Sequence, residues 1–153
     1  MGTKSTEEVK KRNWWFVLYP DSAPSDWKER LQKSGLPIAI SPLHDSDKNP
    51  TGEPKKRHHH IILCWPGPTP YSNVEALTSG LNQPHPQFLE SVKGAYRYFT
   101  HKDNPEKFPY NECDIQLLNG FDESDYDKLS AAQVREKQRE IVAMIRQYRL
   151  VEY

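Results

Sequence analysis

The chain has 153 residues, enough for one domain with a substantial core, at 35% hydrophobic and 27% charged composition. Lys+Arg and Asp+Glu balance at 21 each, which argues against a broad basic surface coating DNA non-specifically but leaves room for a local basic groove. The two cysteines, Cys64 and Cys113, lie outside any CxxC, and no apolar run reaches membrane-spanning length. A disulfide scaffold, a cysteine-rich zinc site and a membrane span are therefore not expected, and a cytoplasmic setting is.

Residues 1–12 read as a solvated tail ending in Lys10-Lys11-Arg12. Asn13 to Tyr19 is rich in strand formers and ends at Pro20. Ser25 to Ser34 reads as a short helix, with Ser25 as its cap, Trp27 and Leu31 on one face and Gly35 as its stop. Pro37 to His44 is a second strand, in which alternation puts Ile38, Ile40, Pro42 and His44 on one face. Pro42 weakens this strand or marks a bulge. A polar loop, Asp45 to Lys56, leads to Arg57-His58-His59-His60-Ile61-Ile62-Leu63-Cys64-Trp65, a third strand. The simplest pairing of the second and third strands is an antiparallel hairpin, which sets His44 beside His58.

Pro66 to Pro70 reads as a stiff loop. Ser72 caps a helix carrying Val74, Leu77 and Leu81. Gln87 to Val92 is a short strand, Lys93 to Lys102 a helix, Asn104 to Asn111 a loop with two prolines, and Asp114 to Leu118 another strand. Ser130 and Gln133 form a capping box for a last helix running to about Leu150. The order β-α-β-β-α-β-α-β-α predicts an α+β fold, a sheet with helices packed on its faces.

In the third strand His58 and His60 share a face, about 6.6 Å apart, close enough to converge on one metal ion. His59 points the other way, with Ile61, Leu63 and Trp65. The triple histidine is equally compatible with a polar strand end that binds nothing. His44 and Asp47 sit at the open end of the hairpin and could join His58 and His60. For these two the competing reading is an ordinary polar turn. Imidazoles with one carboxylate suit a borderline divalent ion such as Mn²⁺ or Zn²⁺, and the absence of thiolates disfavours a closed structural zinc site. On the helix from Lys93, the residues Val92, Ala95, Tyr96 and Phe99 form a core stripe. Tyr98 lies off that stripe, with His101 and Lys102. It is either a surface aromatic or, beside a metal, a nucleophile, with Lys102 as a nearby positive charge.

These segments resemble the HUH endonucleases, and among them the RepB-type initiators of rolling-circle plasmid replication. The resemblance is carried by Leu18-Tyr19-Pro20, Pro24-Ser25-Asp26-Trp27, Ile40-Ser41-Pro42-Leu43-His44-Asp45, His58-x-His60 and Tyr98-Phe99-Thr100-His101, in order over the first two thirds of the chain. It implies a central antiparallel sheet of about five strands flanked by helices, with the histidine pair on a central strand. It implies that His44, Asp47, His58 and His60 hold a divalent metal, Mn²⁺ or alternatively Mg²⁺. It implies that Tyr98 nicks single-stranded origin DNA through a 5′-phosphotyrosine and later transfers the strand. The position between the paired histidines is usually bulky and apolar or aromatic, and here it is His59.

The implied organisation is a flexible tail, 1–12, and one origin-binding and endonuclease domain, 13–153, without the C-terminal oligomerisation region of relatives. Expected partners are plasmid origin DNA, duplex and single-stranded, and host replication proteins. Basic candidates for DNA contact are Lys55, Lys56, Arg57 and Lys102, with some of Arg135, Lys137, Arg139, Arg146 and Arg149. The alternatives are a relaxase- or transposase-type nickase, a phosphodiesterase that uses water, and an origin-binding module without catalysis.

Overall fold

The structure is a computed structural model; it describes residues 10–126, 138–139 and 141–143. The chain divides into two units, Met1–Glu123 and Ser124–Tyr153. In the second, the described positions 138–139 and 141–143 are helical, and the rest of the helix expected from Ser130 lies outside the described residues. Arg135, Lys137, Arg146 and Arg149 lie outside them too, as do residues 1–9 of the expected tail.

The first unit is built on a five-stranded, wholly antiparallel sheet. Its strands are β1 (Lys10–Leu18), β2 (Ile38–Ile40), β3 (His59–Pro70), β4 (Gln87–Phe88) and β5 (Gln116–Leu118), in the spatial order β4-β1-β3-β2-β5. The helices are α1 (Trp27–Lys33), α2 (Tyr71–Gly80) and α3 (Val92–Tyr98). The α+β expectation is borne out, with the histidine strand β3 at the centre of the sheet.

Alternation along β1 sorts the two faces of the sheet. Trp14, Phe16 and Leu18 are buried in the main core with Leu31, Ile38, Ile40, Ile61, Leu63, Val74 and Leu81. Helices α1 and α2 cover this face through Leu31 and Val74. Burying each such large aliphatic side chain stabilises the fold by about 1.5–3 kcal/mol relative to leaving it in water. Trp15, Val17 and Tyr19 lie on the other face, half-buried, where α3 packs. His59 follows the core alternation: its ring lies 5.5 Å from that of Trp27 and its Nδ1–H donates to the Ser41 carbonyl at 2.8 Å.

Several boundaries differ from the sequence reading. Strand β1 starts at Lys10, because β3 is long enough to pair Lys10 with Pro70 and Lys11 with Thr69. Lys10, Lys11 and Arg12 thus belong to the sheet rather than to the tail. The expected loop Pro66–Pro70 is the end of β3. The β1–β3 register jumps between Lys11 and Asn13, where Asn13 pairs with Cys64, so Pro66 and Pro68 fall in a bulge that needs no ladder N–H. Helix α2 starts at Tyr71 with Pro70 as its cap, not at Ser72. Helix α3 starts at Val92, where the Ser91 hydroxyl accepts from the Gly94 N–H at 2.9 Å, and it ends near Tyr98 rather than Lys102.

The most consequential difference concerns His44. Ile40 pairs with Ile61, yet His44 bridges His58, so Ser41–Leu43 carries one residue more than the facing strand. A one-residue bulge reverses the side-chain phase. His44 therefore leaves the face of Ile38 and Ile40 and joins His58 and His60 on the other.

Candidate metal centre and its tyrosine

Three segments converge on the α3 side of the sheet. The hairpin brings His44, Asp47 and His58, and strand β3 brings His60. The end of α3 and the loop after it bring Tyr98 and His101. His44, His58 and His60 offer ligand atoms within 4.8 Å of one another, and so do His44, Asp47 and His101. All the expected ligands are brought together, and His101, which the sequence reading left without a role, adds a further donor.

The hydrogen bonds fix which ring nitrogens face inward, because a carbonyl oxygen can only accept. His44 donates from Nε2–H to the Phe99 carbonyl at 2.8 Å, leaving its Nδ1 lone pair 3.2 Å from Asp47 Oδ2. His58 donates from Nδ1–H to the Lys56 carbonyl at 2.8 Å, and its Nε2 lies 3.7 Å from the same carboxylate oxygen. His101 donates from Nδ1–H to the Phe108 carbonyl at 2.7 Å, and its buried Nε2 has no partner. Burial pushes the His44 imidazole below its ordinary pKa, outweighing the Phe99 carbonyl and Asp47, which favour its charged form. His60 is pushed down to about 2, chiefly by burial and then by its histidine neighbours. His44 Nδ1 and His58 Nε2 thus both face one carboxylate oxygen of Asp47, a donor set that a cation would draw together. The rings of His44, His58 and His101 are each also oriented by a backbone carbonyl, as metal-ligating histidines usually are. The residues present fit a divalent metal.

Asp47 is only 10% exposed at its side chain. Burial opposes its ionisation, but the Tyr110 hydroxyl and the adjacent His44, His101 and His58 hold its carboxyl below the usual range. Tyr110 donates to Asp47 Oδ1 at 2.7 Å, accepts from the Ser46 N–H at 2.9 Å, and stacks on His44 with ring centres 4.2 Å apart.

Tyr98 is half-buried at the mouth of this cluster, with its ring edge-on to His60 at 5.4 Å, His101 at 5.0 Å and Trp15 at 6.0 Å. Lys107 Nζ donates to the Tyr98 hydroxyl at 3.0 Å. A groove of about 360 Å³ is lined by Tyr98, His58, His60, Asp47, Lys55 and Lys56. The expected helper Lys102 points elsewhere: it is exposed and pairs with Glu112 at 3.8 Å. Arg57 is likewise tied away, to Asp21 at 2.6 Å. Of the four basic candidates near the site, Lys55 and Lys56 are at the groove and the other two are not. Tyr96 packs against Phe99 and Phe121, as its place on the stripe predicts.

The turn after α3 explains how His101 arrives. His101 N–H donates to the Tyr98 carbonyl at 3.0 Å and Lys102 N–H to the Arg97 carbonyl at 3.1 Å, the Schellman pattern. The residue at the left-handed position of this motif is usually glycine; here it is His101, at φ +56°. The loop beyond then returns over the site through Lys107, Phe108 and Tyr110. Sequence periodicity could not find these three, since a loop has none. The aromatic pair flanking Pro109 was the one available hint.

An antiparallel sheet bearing a histidine and carboxylate cluster beside a half-buried tyrosine defines an α+β domain with a candidate metal centre. The chain belongs to the family described as plasmid replication protein, origin binding domain, whose model matches residues 6–124. It is 42% identical to the replication protein RepB of Lactiplantibacillus plantarum over 134 residues, covering 88% of this chain and 61% of that one. A replication protein of Staphylococcus aureus is 35% identical over 151 residues, covering 99% of this chain and 76% of the other. The replication protein RepB of Streptococcus agalactiae is also 35% identical, covering 92% and 72%. The chain thus spans about three fifths of the length of the first of these relatives. The resemblance to RepB-type plasmid replication proteins is borne out. Among the described residues no helix is long and apolar enough to cross a membrane.

Proposed function

We propose that this chain is the origin-binding and nicking domain of a rolling-circle plasmid replication initiator, acting on single-stranded origin DNA by strand transfer to Tyr98. The observation that carries the reading is the set of inward-facing nitrogens of His44, His58 and His101 around Asp47, in reach of the groove that Tyr98 enters. His44, Asp47, His58 and His60 would hold a divalent cation, Mn²⁺ in preference to Mg²⁺, and His101 is available as a further donor. When bound, such an ion supplies positive charge to the non-bridging oxygens of a phosphodiester.

The chain's own residues do the rest. Lys55 and Lys56 draw the DNA backbone into the groove. The Tyr98 oxygen attacks phosphorus, and the bond from phosphorus to the 3′ oxygen breaks. A 5′-phosphotyrosine forms, and the phenolic proton ends, in net terms, on the 3′ hydroxyl. Lys107 places an ammonium where negative charge grows as that proton departs. The bond energy kept in the phosphotyrosine permits later rejoining, and the free 3′ hydroxyl can prime synthesis. Duplex origin DNA and host replication proteins are the partners this reading implies.

The test is a denaturing gel of labelled single-stranded origin DNA incubated with protein, with and without Mn²⁺. The expected result is a Mn²⁺-dependent, protein-linked band that Tyr98→Phe abolishes. An unchanged band in Tyr98→Phe would exclude Tyr98. The family description names origin binding alone, which favours as second reading a binding module without catalysis. That reading predicts chelator-insensitive origin binding and no linked band.

A further inference from the structure

We propose that the cavity flanking Tyr98 and His60 on the β1 side is a pocket for one unpaired nucleobase of a single DNA strand. The proposal rests on the reading of the groove as the seat of the DNA phosphate, and it adds what holds the adjoining base. The cavity measures about 340 Å³ and is walled by Trp15, Tyr19, Pro84, His85, His60 and Tyr98. Pockets of this size suit small planar ligands.

Three observations converge on a base. First, Trp15 and Tyr19 stand on the α3 side of the sheet and stay half-buried, while the large side chains of the other β1 face are sealed in the core. Second, Trp15 is held in place: its ring stacks on His60 at 5.3 Å and 28°, and meets Tyr98 edge-on at 6.0 Å. A rigid indole at a cavity wall is a stacking platform that costs little to order on binding. Third, the charge pattern changes along the surface. The cavity lining contains no Lys, Arg, Asp or Glu, whereas the adjoining groove, which shares Tyr19, His60 and Tyr98 with it, adds Lys55 and Lys56 beside the candidate metal ligand Asp47. An uncharged aromatic compartment next to one that carries two lysines and the candidate metal ligands matches a base next to its phosphate. Gln87 at the rim offers an amide that can both donate and accept at a base edge.

The experiment measures binding, not cleavage. Short labelled oligonucleotides of dT, dA and dC are titrated against the whole chain by fluorescence anisotropy, and the best-bound one is rescanned with a single abasic residue moved along it. Trp15→Ala is expected to weaken binding by about 10-fold or more, and Trp15→Phe to retain most of it. One abasic position should cost the wild type a similar factor and cost Trp15→Ala nothing further. Melting curves of both variants check that the fold is kept. An abasic scan that is flat in the wild type, or losses that multiply in Trp15→Ala, would overturn the pocket. A flat scan alongside a normal Tyr98-linked band sinks the pocket alone. Coupled losses with no linked band support the pocket and sink the nicking reading.

Discussion

Tyr110→Phe isolates one oxygen atom. The ring stacked on His44 stays, while the donor to Asp47 Oδ1 at 2.7 Å and the acceptor for the Ser46 N–H at 2.9 Å are lost. Ser46 is solvent-accessible, so water can replace its bond at little cost. The bond to Asp47 is charge-assisted, at a carboxylate only 10% exposed, and is worth about 1.5–3 kcal/mol. If that energy orients Asp47 toward the histidines, its loss weakens the metal by about 10- to 100-fold, the range usual for groups that orient metal ligands. The Asp47 carboxyl also loses a bond that lowers its pKa, so metal binding should need a higher pH in the variant than in the wild type. Isothermal titration with Mn²⁺ at several pH values measures both effects. Wild-type affinity in Tyr110→Phe, with affinity lost in His58→Ala, would show that Asp47 needs no help from the loop.

Lys107→Met should slow formation of the Tyr98-linked band by about 10- to 100-fold while leaving Mn²⁺ titration unchanged, because Lys107 touches the phenol and not the imidazoles. An unaltered rate would remove Lys107 from the chemistry. His59→Ala should lower stability by about 1–3 kcal/mol in urea melts, through the lost Ser41 bond and Trp27 contact, with Mn²⁺ affinity intact. A lost Mn²⁺ site with normal stability would contradict its assignment to the core face. Acidification should destabilise the metal-free protein. Burial holds His44, His59 and His60 neutral in the fold, whereas in the unfolded chain they take up protons below about pH 6.5. The unfolded state then binds more protons, and each such histidine removes up to about 1.4 kcal/mol per pH unit as pH falls through that window. Melting temperatures that stay level or rise on acidification would refute this.

What the sequence disclosed was mainly periodic. Strand formers in Asn13–Tyr19 and the apolar run after His58 placed the central strands, and the Val92, Ala95, Tyr96, Phe99 stripe set Tyr98 apart from a core in which Val92, Ala95 and Phe99 are buried. Hairpin logic brought His44 to His58. Alternation sent His44 to the wrong face, because one extra residue between Ile40 and His44 reverses the phase and no local pattern counts the residues of the opposing strand. Lys107 rather than Lys102 meets the Tyr98 hydroxyl because the turn at His101 ends the helix, so a neighbour in sequence ceases to be a neighbour in space. Glycine and proline are the usual marks of such a stop; a histidine in the left-handed conformation gives no such mark. The hydrogen bonds of Tyr110 join residues 63 and 64 positions apart in sequence, beyond any local signal.

The helix end that carries Tyr98 also carries the Phe99 carbonyl that orients His44 and the turn that delivers His101. Tyr98, the proposed nucleophile, and His101, a candidate cation donor, are therefore spaced by the chain itself. A single residue inserted between Tyr98 and His101 would turn one against the other by about 100° of helical rotation. Such an insertion should uncouple ion capture from DNA attachment even with every contributing side chain still in the chain.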